Sequence, residues 1–326
     1  MRSLLWFCLL LMVVVAAIFQ RTPLGAAVAA PPVPDAAAEP PAAKEAAAKK
    51  AAAKEAGESG AEEASRYIRI SKTEGGLPKA LETSIVRYVG GKQSSHPGVV
   101  VDLVGVVHVG QKEYYRQLDK RLKTYDVVLY ELVAPNGTRV APEEVAASRS
   151  PLGAVQLGMR DMLNLEFQLQ HIDYSAKNFR HADMSPDEFL ADMEDRGDSI
   201  LKMGLRMMGA GLATQAASGS DAGMLRALLS GEDRPKKMKQ VMAQQLIDME
   251  AMTAGLDDAA GENTLIRGRN ARAFEVLKEE IEAGKKRIAV FYGAGHLPDM
   301  AERLEQDFQL RPTTVEWFPA WNLQKN

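Results

Sequence analysis

Three side chains in this 326-residue chain have the types and spacing to activate water: His108, Glu131 and His296. His108 closes the stretch Gly105-Val106-Val107-His108, and His296 closes Gly293-Ala294-Gly295-His296. Each histidine follows an apolar run and precedes a segment of helical spacing. Each is followed in the next apolar run by an acid, Glu131 in the first unit and Glu316 in the second. Two imidazoles and a carboxylate at one sheet edge make the ligand set of a catalytic divalent metal with an open position for water. Such a cation lowers the pKa of its water towards about 7 and needs no serine or cysteine nucleophile. A lone G-x-x-H is a weak signal; two copies in matched context, each with an acid behind it, carry the reading.

The elements around these residues are legible from periodicity. Val99 to Val107 is apolar except for Asp102, as expected of a strand buried on both faces. Tyr114 or Tyr115, Leu118, Leu122 and Tyr125 follow at helical spacing, and Val127 to Glu131 is a second strand. A strand–helix–strand unit of this kind is parallel and right-handed. It places His108 and Glu131 at the carboxyl ends of two neighbouring strands, where open α/β sheets bind their ligands. The pattern returns near the C-terminus, with a strand over Arg287–Tyr292, a helix over Leu297–Phe308 and a strand over Thr314–Trp317 carrying Glu316. The two units form a weak internal repeat or two equivalent uses of one turn. Gly105 and Gly293 permit a tight exit from each strand, and the next helix N-terminus adds positive potential beside a developing oxyanion.

Elsewhere, Tyr67, Ile68 and Ile70, then Leu81 to Tyr88, form two β segments closed by Gly90-Gly91. Helices are expected through Pro142–Arg149 and Leu152–His171, then a short strand over Phe179–Ala182 with His181 beside the site. Ser185-Pro186-Asp187-Glu188 is a capping box that starts a helix. Gly209 to Gly223 is a loop of small residues. Met238, Val241, Met242, Gln245, Leu246, Met249 and Met252 mark the core-facing stripe of a helix. A further helix over Asn263–Ala283 turns Ile266, Ala273, Phe274, Leu277 and Ile281 inward, with Arg269 and Asn270 on or beside that stripe. A guanidinium there needs an acidic partner.

A net charge of −3 with no basic stripe argues against nucleic acid as a partner. Residues 1–29 resemble a signal peptide, with Arg2, an apolar run Leu4–Phe19 and a small-residue site at Ala27-Val28-Ala29. The alternative is an N-terminal anchor through residues 4–19, a run just short of the roughly 17 to 25 residues that span a bilayer. Either way the chain is expected to be exported, periplasmic or secreted, with a membrane tether in the second case. Cys8 is the one cysteine, so cleavage would leave no thiol for disulfides, nucleophiles or zinc. Residues 30–64 form an Ala/Pro/Lys-rich linker, and 65–326 an α/β domain with a helical insertion over about 140–260. No H-E-x-x-H helix, P-loop or G-x-S-x-G elbow is present.

GVVH at Gly105–His108, DVVLYEL at Asp126–Leu132, RNARAF at Arg269–Phe274 and YGAGHLPDM at Tyr292–Met300 together resemble the TraB/GumN group. That group is related to the TIKI metalloproteases and more distantly to the erythromycin esterase and ChaN-like proteins. The resemblance implies an α/β fold with a central mixed β-sheet, flanking helices and a large helical insertion. For TIKI-like members it implies metal-dependent peptide hydrolysis through His108, His296 and Glu131, with a divalent cation (Mn, Co or Zn). The Arg-Asn pair is typical of the group, making Arg269 the natural partner of an active-site acid or a substrate carboxylate, with Asn270 orienting an acid or the oxyanion.

The expectation is an exported metal-dependent hydrolase acting on a peptide or another small-molecule substrate. Two alternatives stand beside it, of which the first keeps the same residues. One is a metal-independent, esterase-like hydrolase with His108 as general base oriented by Glu131. The other is a non-catalytic protein binding a peptide or haem-like ligand in the methionine-lined helical region.

Overall fold

The computed structural model describes residues 66–135, 138, 163, 165–197, 202, 231–254 and 264–325. The expected signal or anchor segment and linker, the glycine-rich stretch at 209–223 and about half of the expected helical insertion lie outside the described residues. The described residues form an α/β fold with a central mixed sheet flanked by helices.

The strands, in chain order, are β1 (Ile68–Lys72), β2 (Pro78–Gly90), β3 (Val100–Val106), β4 (Val109–Gly110), β5 (Val127–Tyr130), β6 (Glu166–Phe167), β7 (Phe179–His181), β8 (Arg287–Gly293) and β9 (Leu310–Asn322). The longer helices are α1 (Lys112–Leu122), α2 (Pro186–Asp195), α3 (Arg234–Ala254), α4 (Arg269–Glu282) and α5 (Leu297–Gln306). Strands β3, β8, β5 and β7 lie side by side and parallel. Strand β2 joins them antiparallel through β3 and carries β9 along its whole opposite edge. Because Ala80 pairs with both Ser71 and Asn322, β1 shares the β3 edge of β2, beside its first half.

The burial of β3, β5 and β8 explains their central place. Every residue of Val127–Tyr130 is buried, as are those of β8 after Arg287 and of β3 after Val100. Such runs have no wet face and need helices on both sides. Directly opposed residues of an antiparallel pair share a face, so Ser84 and Gly105 point one way and Thr83 and Val106 the other. Tyr114 of α1 hydrogen-bonds Thr83 Oγ1 at 2.8 Å, whereas a Cβ on Gly105 would lie 3.1 Å from Leu297 at the start of α5. Helices α1 and α5 therefore cover opposite faces. Phe274 of α4 meets Phe308 just after α5 edge-on at 5.5 Å, which puts α4 on the α5 side.

Three sequence expectations are corrected. The strands ending in His108 and Glu131 are not neighbours: β8 lies between β3 and β5. Local periodicity shows which segments are strands but not which strand from the far end of the chain is inserted between two others. The second strand–helix–strand unit does not repeat the first either, because β9 returns antiparallel to β2 at the other side of the sheet. Finally, the helix expected through His171 is a short strand and a 3-10 turn over its last residues, Glu166–Gln170, where β6 pairs with β4. Pairing to a distant strand overrides a weak local helical pattern. Other expectations hold. Ser185 accepts from the Glu188 backbone N–H while Glu188 reaches back to the Ser185 N–H, the reciprocal cap read from the sequence. Met238 is buried in the main core, with Met242 and Leu246 packed against it.

The one acid inside β3, Asp102, is fully buried. Its carboxylate accepts a bidentate pair from Arg87 at 2.8 Å each and a third bond from Tyr125 Oη at 2.6 Å. Burial, with Asp102 next in effect, raises the Tyr125 phenol above its usual range, so it stays a donor. Deleting one member of such a cluster leaves the others with unsatisfied polar atoms. Asp102→Ala is expected to cost about 3 kcal/mol of unfolding free energy in urea, against under about 1 kcal/mol for truncating the exposed Arg116–Glu113 pair.

Candidate active site

The four parallel strands deliver their next residues to one edge. Strand β3 leads to His108, β5 to Glu131, β7 to Asp183 and β8 to the Gly293–His296 turn. Glu131 is thereby separated from His108 by the width of β8, and Gly293, the last residue of β8, closes the gap. Its backbone N–H donates to Glu131 Oε2 at 2.7 Å. A Cβ on Gly293 would stand 3.3 Å from Glu131 Oε2 and 3.8 Å from both His108 Nε2 and His296 Cδ2. Its φ of −52° suits any residue, so what glycine provides here is space. Gly105 lies inside β3 and has another role, leaving room for Leu297, the residue that seats the His296 turn.

His108 is the exposed member of the group, and its backbone is fixed on both sides. Tyr115 Oη donates to the Val107 carbonyl at 2.8 Å and Trp321 Nε1 to the Val109 carbonyl at 2.7 Å. His296 is buried at 6% exposure. Its Nδ1 lies 2.7 Å from Asn270 Oδ1, and the Asn270 amide nitrogen donates to the His296 carbonyl (3.0 Å) and to Asp299 Oδ2 (2.8 Å). Those two groups only accept, so the amide can face just one way. His296 then carries its proton on Nδ1 and offers a lone pair on Nε2. Burial, and Arg269 beside it, push the His296 pKa down to about 4 against the pull of Glu131, so the ring is neutral.

Arg269, the first residue of α4, lies at 6% exposure among these groups. It donates from Nε and Nη2 to the two oxygens of Asp183 (3.0 and 2.6 Å) and from Nη2 to Glu131 Oε1 (2.8 Å). Its Nη1 stands 3.3 Å from His296 Nε2. Burial alone would lower the Arg269 pKa, but Asp183 and Glu131 outweigh it and hold the guanidinium charged. Burial would likewise raise the Glu131 pKa, and Arg269 first among its neighbours reverses this, keeping the carboxyl well below the usual range. A π-helical turn, Thr264–Gly268, leads into Arg269. Gly268 is needed there, since a Cβ would fall 2.6 Å from Asp192 Oδ2, which itself accepts from Thr264 Oγ1 at 2.7 Å.

The sequence-derived set thus divides. His108, Glu131, His296, Arg269, Asn270 and Gly293 come together. His181 stands beside them, its Nε2 bonded at 2.6 Å to the Leu132 carbonyl, where it holds the turn after Glu131. Glu316 is elsewhere: β9 carries it to the far side of the sheet, where it meets Arg121 at 3.3 Å. Two residues of the site went unforeseen. Asp183 was detectable as the acid that a buried Arg269 requires, two residues past a strand-end histidine. Gln168, whose Oε1 lies 2.9 Å from His108 Nδ1, has no local signature at all.

Two tests follow from this geometry. Gly293→Ala should fold with near-wild-type stability yet displace Glu131 by a few tenths of an ångström, lowering any activity of the site about tenfold or more; unchanged activity would show that the three groups need not meet. The second is a pH profile. His296 titrates near 6.5 when unfolded and near 4 when folded, so the unfolded chain binds the extra proton as pH falls through this window. Stability is therefore lost from about pH 6.5 downwards, on the order of 3 kcal/mol by pH 4. The depressed Glu131 acts in the same direction below about 4.5. In chelator-treated protein the fall between pH 6.5 and 4.5 should flatten in His296→Gln.

Comparison with protein-family models, with curated proteins and with solved structures found no match for this chain.

Proposed function

We propose that this protein is an exported, metal-dependent hydrolase of the TraB/GumN kind, acting on a peptide or a similar acyl substrate. The observation that carries the reading is the gathering of two imidazoles from distant parts of the chain and one ionised carboxylate around Gly293 at the end of β8. The motif resemblance supports the kinship and the apolar N-terminal run supports export.

The donor set suits a divalent cation chemically. His296 is neutral, and its unprotonated Nε2 lies 3.5 Å from Glu131 Oε1. Two carboxylates, Glu131 and Asp183, face one guanidinium. Both histidines have a side-chain amide on Nδ1, the outer-shell arrangement that orients metal-binding imidazoles. His108, Glu131 and His296 would hold the ion, which would supply Lewis-acid polarisation of a carbonyl and a lowered pKa for water. Arg269 keeps Glu131 ionised and in one orientation, and Asn270 does the same for His296. With every Arg269 nitrogen directed at Asp183, Glu131 or His296, the guanidinium supports the acids and is not offered to a substrate carboxylate.

A metal-free version has two observations in its favour. Among the described residues no three acidic or imidazole side chains converge closely enough to hold a metal as they stand, and Arg269 Nη1 faces the His296 lone pair. In that version His108 is the general base, but its Nδ1 is met by Gln168 and not by Glu131, so the proposed acid does not orient it.

Elemental analysis of the purified protein and hydrolysis of a peptide and ester panel separate these versions. The metal-dependent reading expects about one Mn, Co or Zn per chain and activity abolished by chelator. It further expects a loss of about a thousandfold or more in His108→Ala and His296→Ala. Metal-free protein whose activity survives chelator but not His108→Ala selects the second version. Activity surviving both histidine replacements removes the site from the chemistry.

A further inference from the structure

Gln168 clasps His108 at two points. Its backbone N–H donates to the His108 carbonyl at 3.0 Å, and its side-chain Oε1 lies 2.9 Å from His108 Nδ1. The clasp is built where β6 pairs with β4, which puts Phe167 opposite Val109 and brings the residue after one beside the residue before the other. Gln168 is 6% exposed, so its amide has little access to water and depends on its neighbours. The amide nitrogen donates to Tyr174 Oη at 2.7 Å. Tyr174, 2% exposed, is packed edge-on against Tyr130, the residue before Glu131, with ring centroids 5.1 Å apart.

This chain of contacts has a chemical consequence at the far side of the ring. With the amide nitrogen on Tyr174, Oε1 faces Nδ1, and an amide oxygen can only accept. The proton of a neutral His108 is then on Nδ1, and Nε2, the atom nearest Gly293, carries a lone pair. The same result is reached at His296 by Asn270. In these orientations two amides from unrelated segments give both rings a proton on Nδ1 and a lone pair on Nε2.

We propose that Gln168, held by Tyr174, is a positioning residue that fixes the Nδ1–H tautomer of His108 and so makes its Nε2 a base and ligand. The tautomer assignment follows from the amide orientation that gives its nitrogen to Tyr174, while its use in hydrolysis rests on the function proposed above.

The test uses the full protein labelled with 15N-histidine, the His108 ring being assigned by the signals lost in His108→Asn. Long-range 15N–1H spectra distinguish Nδ1–H from Nε2–H directly. The wild type should show Nδ1–H at His108. Gln168→Leu, which keeps bulk but removes the acceptor, should shift the ring towards Nε2–H and weaken Mn2+ binding, followed calorimetrically, by about 10- to 100-fold. Gln168→Glu, which restores an acceptor, should recover the wild-type tautomer and most of the affinity. Nε2–H at His108 in the wild type would mean the amide is turned the other way and overturns the proposal, whether or not any variant folds. So would an unchanged tautomer in Gln168→Leu, or failure of Gln168→Glu to restore it. Nδ1–H in a wild-type protein that binds no Mn2+ and hydrolyses nothing would refute the hydrolase reading and leave the positioning role of Gln168 standing.

Discussion

A single guanidinium makes the edge of this sheet possible. Strands β5 and β7 are parallel neighbours, and just beyond their carboxyl ends they deliver Glu131 and Asp183 to the same small, water-poor volume. Two carboxylates so close would not both ionise without a cation between them. Arg269 supplies it, spending every nitrogen on Asp183, Glu131 and His296. The arrangement ties together three pieces of chain far apart in sequence, and it accounts for Gly268 and the π turn that set the start of α4 close against Asp192. Replacing such a group leaves buried charges unpaired, which costs more than the net contribution of the intact cluster.

The second constraint is width. Strand β8 stands between β3 and β5, so the first histidine and the acid lie on either side of it, and both face the space above a residue without a side chain. Gly293 therefore has a steric duty that Gly105 does not share, despite their matched places in the two G-x-x-H stretches. The same insertion brings His296 into the group from the β8 side, with Asn270 of α4 holding it. The result is a graded site, from an exposed His108 at the mouth to a buried His296 and Arg269 behind.

Electrostatically the cluster is an ionised Glu131, one fixed cation bound also to Asp183, and a buried neutral imidazole. Burial keeps the His296 ring neutral, and the surrounding charges keep Glu131 ionised. That division suits a site that must present lone pairs near neutral pH without taking up protons itself. The outer amides, Gln168 and Asn270, complete it by giving each ring a preferred orientation.

Much of this was legible in the residues themselves. The apolar runs through Val99–Val107, Val127–Tyr130 and Arg287–Tyr292 determined three buried strands, because only a strand covered on both faces is written without polar alternation. The capping box at Ser185, the inward stripe of α4 and the need of Arg269 for an acid were equally local properties. What the tertiary structure alone decided was adjacency. Strand order is set by long-range pairing, which leaves no trace in local periodicity, so the place of β8 between β3 and β5, the removal of Glu316 to the far side on β9, and the pairing of β6 with β4 that sets Gln168 on His108 could not be read from the chain. The identity of the histidines was in the sequence; the space, charge and hydrogen bonds that give them one orientation arise only where distant segments meet.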